Sequence, residues 1–156
     1  MNQSMKGINY IKTTTEDIDL LMKIRLEMLR EVNNLPDTYE YDKAFIDESR
    51  KYFEEGDQTT VLAMEGDEVV GCASLSYICI MPTFSHPKGK RAHLMNGYTK
   101  PDYRRKGISK RMVEILIDEA KEKGVTEICL DTTAMGRPLY ETLGFKASDE
   151  CMVMVL

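Results

Sequence analysis

The feature that most constrains the fold is a pair of β-rich runs that meet at a short turn. The segment TTVLAMEGDEVVGCASLSYICI, residues 59–80, is dense in the β-branched and apolar side chains that favour strands. Glu65-Gly66-Asp67 separates the two runs, and its glycine can adopt the positive φ that a tight turn requires. We therefore predict a β-hairpin, an antiparallel pair of strands, in this part of the chain.

Amphipathic helices are predicted on both sides of this hairpin. Apolar residues recur at helical spacing between Ile18 and Val32, and again between Phe45 and Phe53, where Gly56 ends the second pattern. A third helix is predicted from about Ile108 to Lys123, ending at Gly124. Two helices thus precede the hairpin, and one long helix follows it.

Shorter patterns complete the order of elements. Strands are predicted in residues 7–12, 92–99 and 125–131, a brief helix in residues 136–145, and a final strand in residues 151–156. The order is strand, two helices, three strands, helix, strand, helix and strand, which is an α/β fold. No repeat and no linker divides the chain, so one domain spanning residues 1–156 is expected.

Length and charge exclude several classes of partner. With 156 residues, the chain can bury a hydrophobic core of its own. Its formal net charge is −5, whereas nucleic-acid binding needs a broad basic face, so no nucleic-acid partner is expected. No apolar run approaches the roughly 18 residues that a membrane span requires, which favours a cytoplasmic protein without a membrane partner.

Cysteine and histidine usage argues against a metal site. His86 and His93 are isolated in the sequence and are expected to be structural or exposed. The cysteines that fall singly in strand-like apolar runs are Cys72, Cys79, Cys129 and Cys151. This pattern is typical of buried, reduced thiols, so neither a metal nor a disulfide is expected.

One short stretch concentrates positive charge in this acidic chain. The segment YRRKGISKR, residues 103–111, has five cationic side chains around Gly107 and no acid. Gly107 lies where a loop gives way to a helix, and without a Cβ it allows a ligand close to the backbone. The N–H groups of the first helical turn, the helix dipole and the cations together favour an anion such as a pyrophosphate. A solvated basic helix start is the alternative interpretation.

The basic stretch also resembles a known cofactor motif. Arg104-Arg105-Lys106-Gly107-Ile108-Ser109 is similar to the acyl-CoA-binding motif of the GCN5-related N-acetyltransferase (GNAT) superfamily, commonly Q/R-x-x-G-x-G/A. The flank LMNGYTKPDYRRKGIS resembles the family's fourth strand, Pro-x-Tyr loop and helix start, while ICLDTT and LYETLGF resemble its fifth strand and its tyrosine-bearing helix. The resemblance implies a central mixed, mostly antiparallel sheet of about six to seven strands, with about four helices packed on both faces.

The resemblance implies where acetyl-CoA, the expected cosubstrate, would bind. Gly97, Tyr98 and Thr99 of the fourth strand would pair with the pantetheine arm, and one of their N–H groups would polarise the thioester carbonyl. Ser109 stands where a glycine or alanine is usual and is small enough to keep the approach open. Thr133 lies near the position where many members have an asparagine that contacts the cofactor. The residues implied at the pyrophosphate are Arg104, Arg105, Lys106, Gly107, Ile108, Ser109 and Lys110.

Two residues are implied in catalysis. Tyr140 of LYETLGF would protonate the departing CoA thiolate, since a phenol of pKa about 10 and a thiol of pKa about 8.5 are close enough for proton transfer. Asp131, at the end of the fifth strand, would accept a proton from the amine, often through water, with solvent as the alternative acceptor. The alternatives are a packed aromatic for Tyr140 and an ordinary strand-ending residue for Asp131. Weaker candidates for the base are Glu27, Glu31 and Asp37.

The resemblance therefore implies an acetyl-CoA-dependent N-acetyltransferase that acts on a primary amine through a ternary complex. The acidic remainder of the chain favours a cationic acceptor through electrostatic steering, and polyamines, aminoglycosides, amino acids and protein amines all qualify. A nucleotide-dependent transferase and a non-catalytic CoA-binding sensor or interaction module on the same fold are the alternatives. Homodimers are common among the relatives, so a homodimer is a further expectation.

Overall fold

The order of helices and strands follows the sequence prediction up to the last predicted strand. The computed structural model describes residues 7–156. The elements in chain order are β1 (Asn9–Lys12), α1 (Ile18–Val32), α2 (Lys43–Glu55), β2 (Gln58–Glu65), β3 (Glu68–Cys79), β4 (Lys90–Thr99), α3 (Ile108–Glu122), β5 (Glu127–Leu130) and α4 (Arg137–Thr142). Short 3-10 turns at Thr15–Asp17 and Pro101–Tyr103 precede α1 and α3.

The five strands form one mixed sheet in the order β1-β2-β3-β4-β5. The first three pairings are antiparallel, and only β4 and β5 run parallel. The predicted hairpin is confirmed as β2 and β3, with Gly66 at φ 59° in the turn. The mixed, mostly antiparallel architecture is therefore as expected.

Helices cover both faces of this sheet. Leu62 and Leu75 are completely buried, and full burial of such a side chain stabilises the fold by about 1.5–3 kcal/mol. The buried side chains that pack α3 onto one face include Val61, Ala73, Leu75, Leu94, Met112 and Leu116. Those that pack α1 onto the other face include Leu21, Ile24, Met28, Leu62, Cys72 and Tyr98. The side chains of β4 thus alternate between an α1 face and an α3 face.

The strand predicted at the end of the chain is absent, so the described sheet has five strands and not six to seven. Residues 145–156 contain no helix or strand. Their apolar members, from Met152 to Leu156, are each at least 82% exposed. The prediction relied on β propensity, but that propensity describes a fit to a half-buried pleated surface, and this segment packs against no such surface in the described chain.

The fifth strand and the cysteines also differ from expectation. β5 is shorter than predicted and only half-buried, because it lies at the edge of the sheet. Only Cys72 is buried, whereas Cys79, Cys129 and Cys151 are exposed, and all four thiols are free. Apolar neighbours in sequence therefore predicted burial wrongly for three of the four thiols.

Residues 7–156 contain neither a candidate membrane-spanning helix nor a candidate metal site. No helix within them is both long and apolar enough to cross a membrane. Nor do they bring together three or more His, Cys, Asp or Glu side chains in a group that could hold a metal ion.

Candidate active site

The candidate site lies where β4 and β5 part. The two strands pair from Arg91 opposite Glu127 to Leu94 opposite Leu130, where β5 ends. β4 continues to Thr99, so its edge beyond Leu94 has no strand beside it in the described chain. A free strand edge of this kind can accept an extended ligand as an added strand. Gly97, Tyr98 and Thr99 all lie on this stretch.

A β-bulge interrupts β4 at this opening. Met95 pairs with Ser74 and Tyr98 pairs with Cys72, so two residues of β4, Asn96 and Gly97, oppose a single residue of β3. Asn96 has φ 58°, in the left-handed region that a residue with a side chain rarely adopts. Bulges of this type re-aim backbone groups and often lie beside active sites.

Polar contacts hold the bulge in place. The Arg25 Nη1 donates to Asn96 Oδ1 at 3.0 Å, and the Asn96 amide nitrogen donates to the Ser74 hydroxyl at 3.2 Å. The Cys72 thiol donates to the carbonyl oxygen of Asn96 at 3.1 Å. Sequence reasoning identified the unusual Gly97 but missed these partners, because Arg25 lies 71 positions away from Asn96.

Tyr140 lies beside the bulge. A Cβ atom at Gly97 would stand 3.5 Å from the Tyr140 hydroxyl oxygen, so this hydroxyl reaches the backbone of β4. The half-buried Tyr140 ring packs edge-on against Phe145, with ring centroids 5.8 Å apart. Burial raises the pKa of the Tyr140 phenol, so it stays protonated at neutral pH. The structure thus brings together the predicted acid and the predicted thioester-binding strand.

The start of α3 has the backbone features of an anion-binding site. Gly107 has φ 79° and is the N-cap residue, and none of the described side chains caps the helix. The N–H groups of the first turn have no partner within the helix, so they can bind an anion. A Cβ at Gly107 would meet nothing within 4 Å, and the space in front of this turn is therefore open. Ile108 is buried in the core under the turn, whereas Ser109 is half-buried and Lys110 exposed.

The basic side chains of this loop are partly engaged elsewhere. Arg104 donates from Nε to the Thr99 carbonyl at 2.8 Å and pairs with Glu31 at 2.6 Å, which directs it toward α1. Arg105 is exposed and has φ 60°. The Lys106 ammonium lies 5.4 Å from the centre of the Tyr103 ring. The side chain of Arg104 is therefore less available to a pyrophosphate than the sequence suggested.

Tyr98 and Thr99 differ in their surroundings. The Tyr98 hydroxyl donates to Glu31 at 2.6 Å, and burial together with this carboxylate raises the pKa of the phenol. The hydrogen bonds from Tyr98 and Arg104 lower the pKa of Glu31, which makes that carboxylate a poor base. The buried Thr99 hydroxyl has no hydrogen-bond partner within residues 7–156, and it lies on the β3 side, 3.4 Å from where a Cβ at Gly71 would stand.

Asp131 lies just beyond β5, on the face of the sheet that α1 covers. Its carboxylate is fully exposed and lies 3.7 Å from His93 Nε2, while His93 Nδ1 lies 3.1 Å from the Cys129 sulfur. His93, expected to be structural or exposed, is half-buried near the end of the β4–β5 pairing. The alternation of β4 and β5 could have indicated this, because His93 pairs with Cys129 and Asp131 follows two residues later.

Thr133 has a local structural role in the loop before α4. Its hydroxyl accepts a hydrogen bond from the Gly136 N–H at 3.3 Å, and its carbonyl accepts one from the Arg137 N–H at 3.1 Å. The side chain therefore helps to form the turn that begins the helix carrying Tyr140. A cofactor contact by Thr133 stays a prediction.

The chain resembles several curated acetyltransferases over part of its length. It is 32% identical over 84 residues to a glucosamine 6-phosphate N-acetyltransferase of Trypanosoma brucei brucei, covering 54% of this chain and 55% of that protein. It is 40% identical over 57 residues to the [ribosomal protein bS18]-alanine N-acetyltransferase of Escherichia coli K12, covering 35% and 38%. The chain thus spans about half, or less, of the length of these relatives.

Solved structures and the family model extend the likeness to most of the chain. A predicted acetyltransferase from Clostridium acetobutylicum, crystallised with acetyl-CoA, is 29% identical with a TM-score of 0.83, covering 96% of both chains. A GCN5-related N-acetyltransferase from Ralstonia eutropha, 24% identical with a TM-score of 0.78 over 96% and 99% of the two chains, shares the fold. Residues 26–145 match the model of the acetyltransferase (GNAT) family. Because this match covers most of the sequence, the resemblance is confirmed and the chain belongs to the GNAT acetyltransferase family.

Proposed function

We propose that this chain is an acetyl-CoA-dependent N-acetyltransferase that acts as a single domain over residues 1–156. The acetyl group would pass from the thioester directly to a primary amine while both substrates are bound. The observation that carries the proposal is the position of the Tyr140 hydroxyl at the Gly97 bulge, beside the free edge of β4. A nearby uncapped helix start, at Gly107, supports binding of the phosphates of the same cosubstrate.

Backbone groups would bind most of acetyl-CoA. Pairing of the pantetheine arm with Gly97, Tyr98 and Thr99 would use the edge of β4 that β5 leaves free. The pyrophosphate would accept hydrogen bonds from the first turn of α3, which the helix dipole favours. Arg105, Lys106 and Lys110 would add positive charge from the rim, and the Arg104 side chain would instead link this loop to α1.

The chemistry then needs one bond formed and one broken. The amine nitrogen attacks the thioester carbonyl carbon, an N–C bond forms, and the C–S bond breaks as the CoA thiolate leaves. A backbone N–H at the bulge would stabilise the oxyanion, an effect commonly worth about 2.7–4 kcal/mol. Tyr140 would give its proton to the thiolate, and its raised pKa keeps that proton available.

The proton lost by the amine needs an acceptor. We assign this role to Asp131, whose exposed carboxylate lies 3.7 Å from His93 Nε2. The other acids considered are less suited, because Glu31 is tied to Tyr98 and Arg104, and Glu27 lies 3.8 Å from the Lys100 ammonium. Asp131 would act directly or through a water molecule.

The acceptor class is a primary amine. The names of two relatives specify glucosamine 6-phosphate and the alanine of a ribosomal protein as acceptors, and both present an amine. The net charge of −5 favours an acceptor that arrives as an ammonium cation. A cytoplasmic location and a homodimer also belong to this proposal.

Binding and turnover test the proposal separately. The shift in melting temperature would be measured with acetyl-CoA, CoA and ATP, and CoA thiol release would then be followed with a panel of amines. A shift with both CoA species and thiol release that depends on the amine are expected. Absence of any shift with CoA species contradicts the proposal, a shift with ATP alone favours a nucleotide-dependent transferase, and binding without turnover favours a sensor.

A further inference from the structure

The α1 face of the sheet carries an arginine with no acidic partner. Arg25 is half-buried, and none of the ion pairs within residues 7–156 includes it. By contrast, the ion-paired arginines are Arg50, Arg91, Arg104, Arg111 and Arg137. A guanidinium stays charged even when partly desolvated, so its unpaired charge is costly unless a ligand neutralises it.

Arg25 belongs to a row of alternating cations and rings. Its guanidinium lies 5.9 Å from the centre of the Phe45 ring, which stacks on Tyr41 with centroids 6.2 Å apart. Arg30 lies 5.6 Å from the centre of the Tyr41 ring. The buried Nε of Arg30 has no hydrogen-bond partner in the described chain. Like Arg25, Arg30 forms no ion pair within residues 7–156. We call Arg25, Phe45, Tyr41 and Arg30 the arginine row.

The arginine row begins at the candidate reaction centre. Arg25 donates to the side chain of Asn96, and the next residue, Gly97, lies against the Tyr140 hydroxyl. The row lies on the α1 face of the sheet, whereas the proposed phosphate site belongs to α3 on the other face. A second substrate approaching from the α1 face would therefore meet Arg25 beside the thioester.

Two acids of α1 near this face pair with other cations. Glu31 is paired with Arg104 at 2.6 Å and accepts from Tyr98, and Glu27 is the other acid of α1 near this face. Glu27 lies 3.8 Å from the Lys100 ammonium, so it also has a cation of its own. Neither Arg25 nor Arg30 therefore forms an ion pair within residues 7–156, and a ligand can supply the anion.

We propose that Arg25 binds an anionic group of the acceptor, a carboxylate or a phosphate, so that the substrate is an amine that also carries an acid. This inference rests on the proposed function. The planar guanidinium presents paired N–H donors that match both anions. Arg30 extends the positive field along the row, and the rings of Tyr41 and Phe45 form an apolar wall. Amino acids and phosphorylated amino sugars fit this arrangement, whereas two unpaired arginines repel polyamines and aminoglycosides.

The experiment compares matched acceptors that differ only in the anionic group. Glucosamine 6-phosphate is compared with glucosamine, and alanine with alaninamide, by kcat/KM at saturating acetyl-CoA. We expect the anionic member of at least one pair to be preferred by about 10- to 100-fold, the range of a charge-assisted hydrogen bond. Equal use of both members, preference for the neutral members, or no acetylation of either pair would overturn the inference.

Variants separate the charge of Arg25 from its support of the bulge. Arg25→Gln should raise KM for the anionic acceptor about 10- to 100-fold more than KM for its neutral partner, because any loosening of the bulge affects both members alike, and Arg25→Lys should recover part of the difference. Arg50→Gln removes the same charge from the ion pair with Asp19 and serves as the control. Asn96→Gly retains the positive φ at position 96 and leaves the guanidinium of Arg25 in place, so the preference for the anionic acceptor should persist. An equal loss on both members of a pair in Arg25→Gln would reduce Arg25 to a structural residue.

The proposed function is judged independently of these ratios. The melting-temperature shift of the wild type with acetyl-CoA reports cofactor binding in the absence of any acceptor, so it tests the proposed function without reference to the anion preference. If acetyl-CoA binds and only amines without an anionic group are acetylated, this inference fails while the proposed function stands. If acetyl-CoA does not bind, the proposed function fails first.

Discussion

The cofactor side of the candidate site consists mainly of backbone groups, whereas the proposed acceptor side consists mainly of side chains. On the cofactor side, the free edge of β4 and the uncapped start of α3 present backbone groups, and the conformation of Gly107 at φ 79° sets their direction. On the acceptor side, the arginine row presents side chains from α1, the loop before α2 and the start of α2, joined to β4 by the hydrogen bond from Arg25 to Asn96. A backbone site tolerates many side chains, whereas a side-chain site changes with each substitution. We therefore expect the cofactor to be fixed by the fold and the acceptor by this particular sequence.

Tyr140 stands at the junction of the two sides, and its removal should have the largest effect. Tyr140→Phe should lower kcat by about 10²- to 10⁴-fold, the usual range for loss of a general acid, and leave acetyl-CoA affinity nearly unchanged. Tyr10→Phe, on β1 at the opposite edge of the sheet, is the matched control and should be silent. A kcat for Tyr140→Phe within a few-fold of wild type would make Tyr140 a packing residue.

The pH dependence of kcat also tests whether Tyr140 is the general acid. Burial raises the pKa of Tyr140, so the acid form is present at neutral pH and is lost only as pH rises through that raised pKa. The alkaline limb of the wild-type profile should lie above about pH 10, the ordinary value for tyrosine, and should be missing in Tyr140→Phe. An identical alkaline limb in both proteins would assign the limb to another group.

Gly107→Glu should weaken the binding of acetyl-CoA without altering the acceptor side. A carboxylate at the start of α3 repels the pyrophosphate, and acetyl-CoA affinity should fall by at least about 100-fold, the loss of more than one charge-assisted hydrogen bond. Gly124→Glu is a close control, because Gly124 has φ 76° and both substitutions incur about 1–2 kcal/mol of backbone strain. Equal acetyl-CoA affinity in the two variants would contradict the phosphate site.

The cofactor side was also the side that the sequence predicted. A glycine at a helix start, a glycine within a strand and the motif LYETLGF are local signals of the family resemblance, and the Tyr140 hydroxyl lies 3.5 Å from where a Cβ at Gly97 would stand. The roles of these residues toward acetyl-CoA stay predictions. The arginine row was not predicted, because its contacts link α1 to residues that periodicity assigns only to a loop and a helix face. The contacts of His93 with Cys129 and Asp131 were not predicted for a similar reason, since they depend on the pairing of β4 with β5.

The fold was predictable wherever one segment determined its own structure. The β2–β3 hairpin and the long α3 follow from local patterns and are confirmed. The segment Cys151–Leu156 has the composition of a strand but no regular structure, because a strand also needs a partner edge that its own residues do not specify. The same limit explains why Cys129 was wrongly expected to be buried on the short edge strand β5.

Removal of the Glu31 carboxylate, which connects α1 to the cofactor side, should have the smallest effect. Glu31 joins Tyr98 and Arg104, and these hydrogen bonds lower the pKa of its carboxyl from 4.5. A lowered pKa contributes stability above pH 4.5 that is lost as pH falls through the folded-state value. Because the pair is partly exposed, Glu31→Gln should lower the melting temperature at pH 7 by at most about 4 °C.

Acid should abolish this difference between wild type and Glu31→Gln. Melting temperatures would be measured at neutral pH and below the folded-state pKa, with Glu48→Gln on the exposed face of α2 as the control. A difference that persists unchanged in acid would show that Glu31 acts through packing and not through its charge.

Amide hydrogen exchange with acetyl-CoA present tests the central claim, that backbone groups form the cofactor side and side chains form the acceptor side. We predict that acetyl-CoA alone protects the amides of residues 97–99 and 108–110 and leaves residues 39–45 of the acceptor side unchanged. Addition of the anionic amine that is acetylated should then protect residues 39–45. Unchanged exchange at both backbone segments in saturating acetyl-CoA would contradict the account.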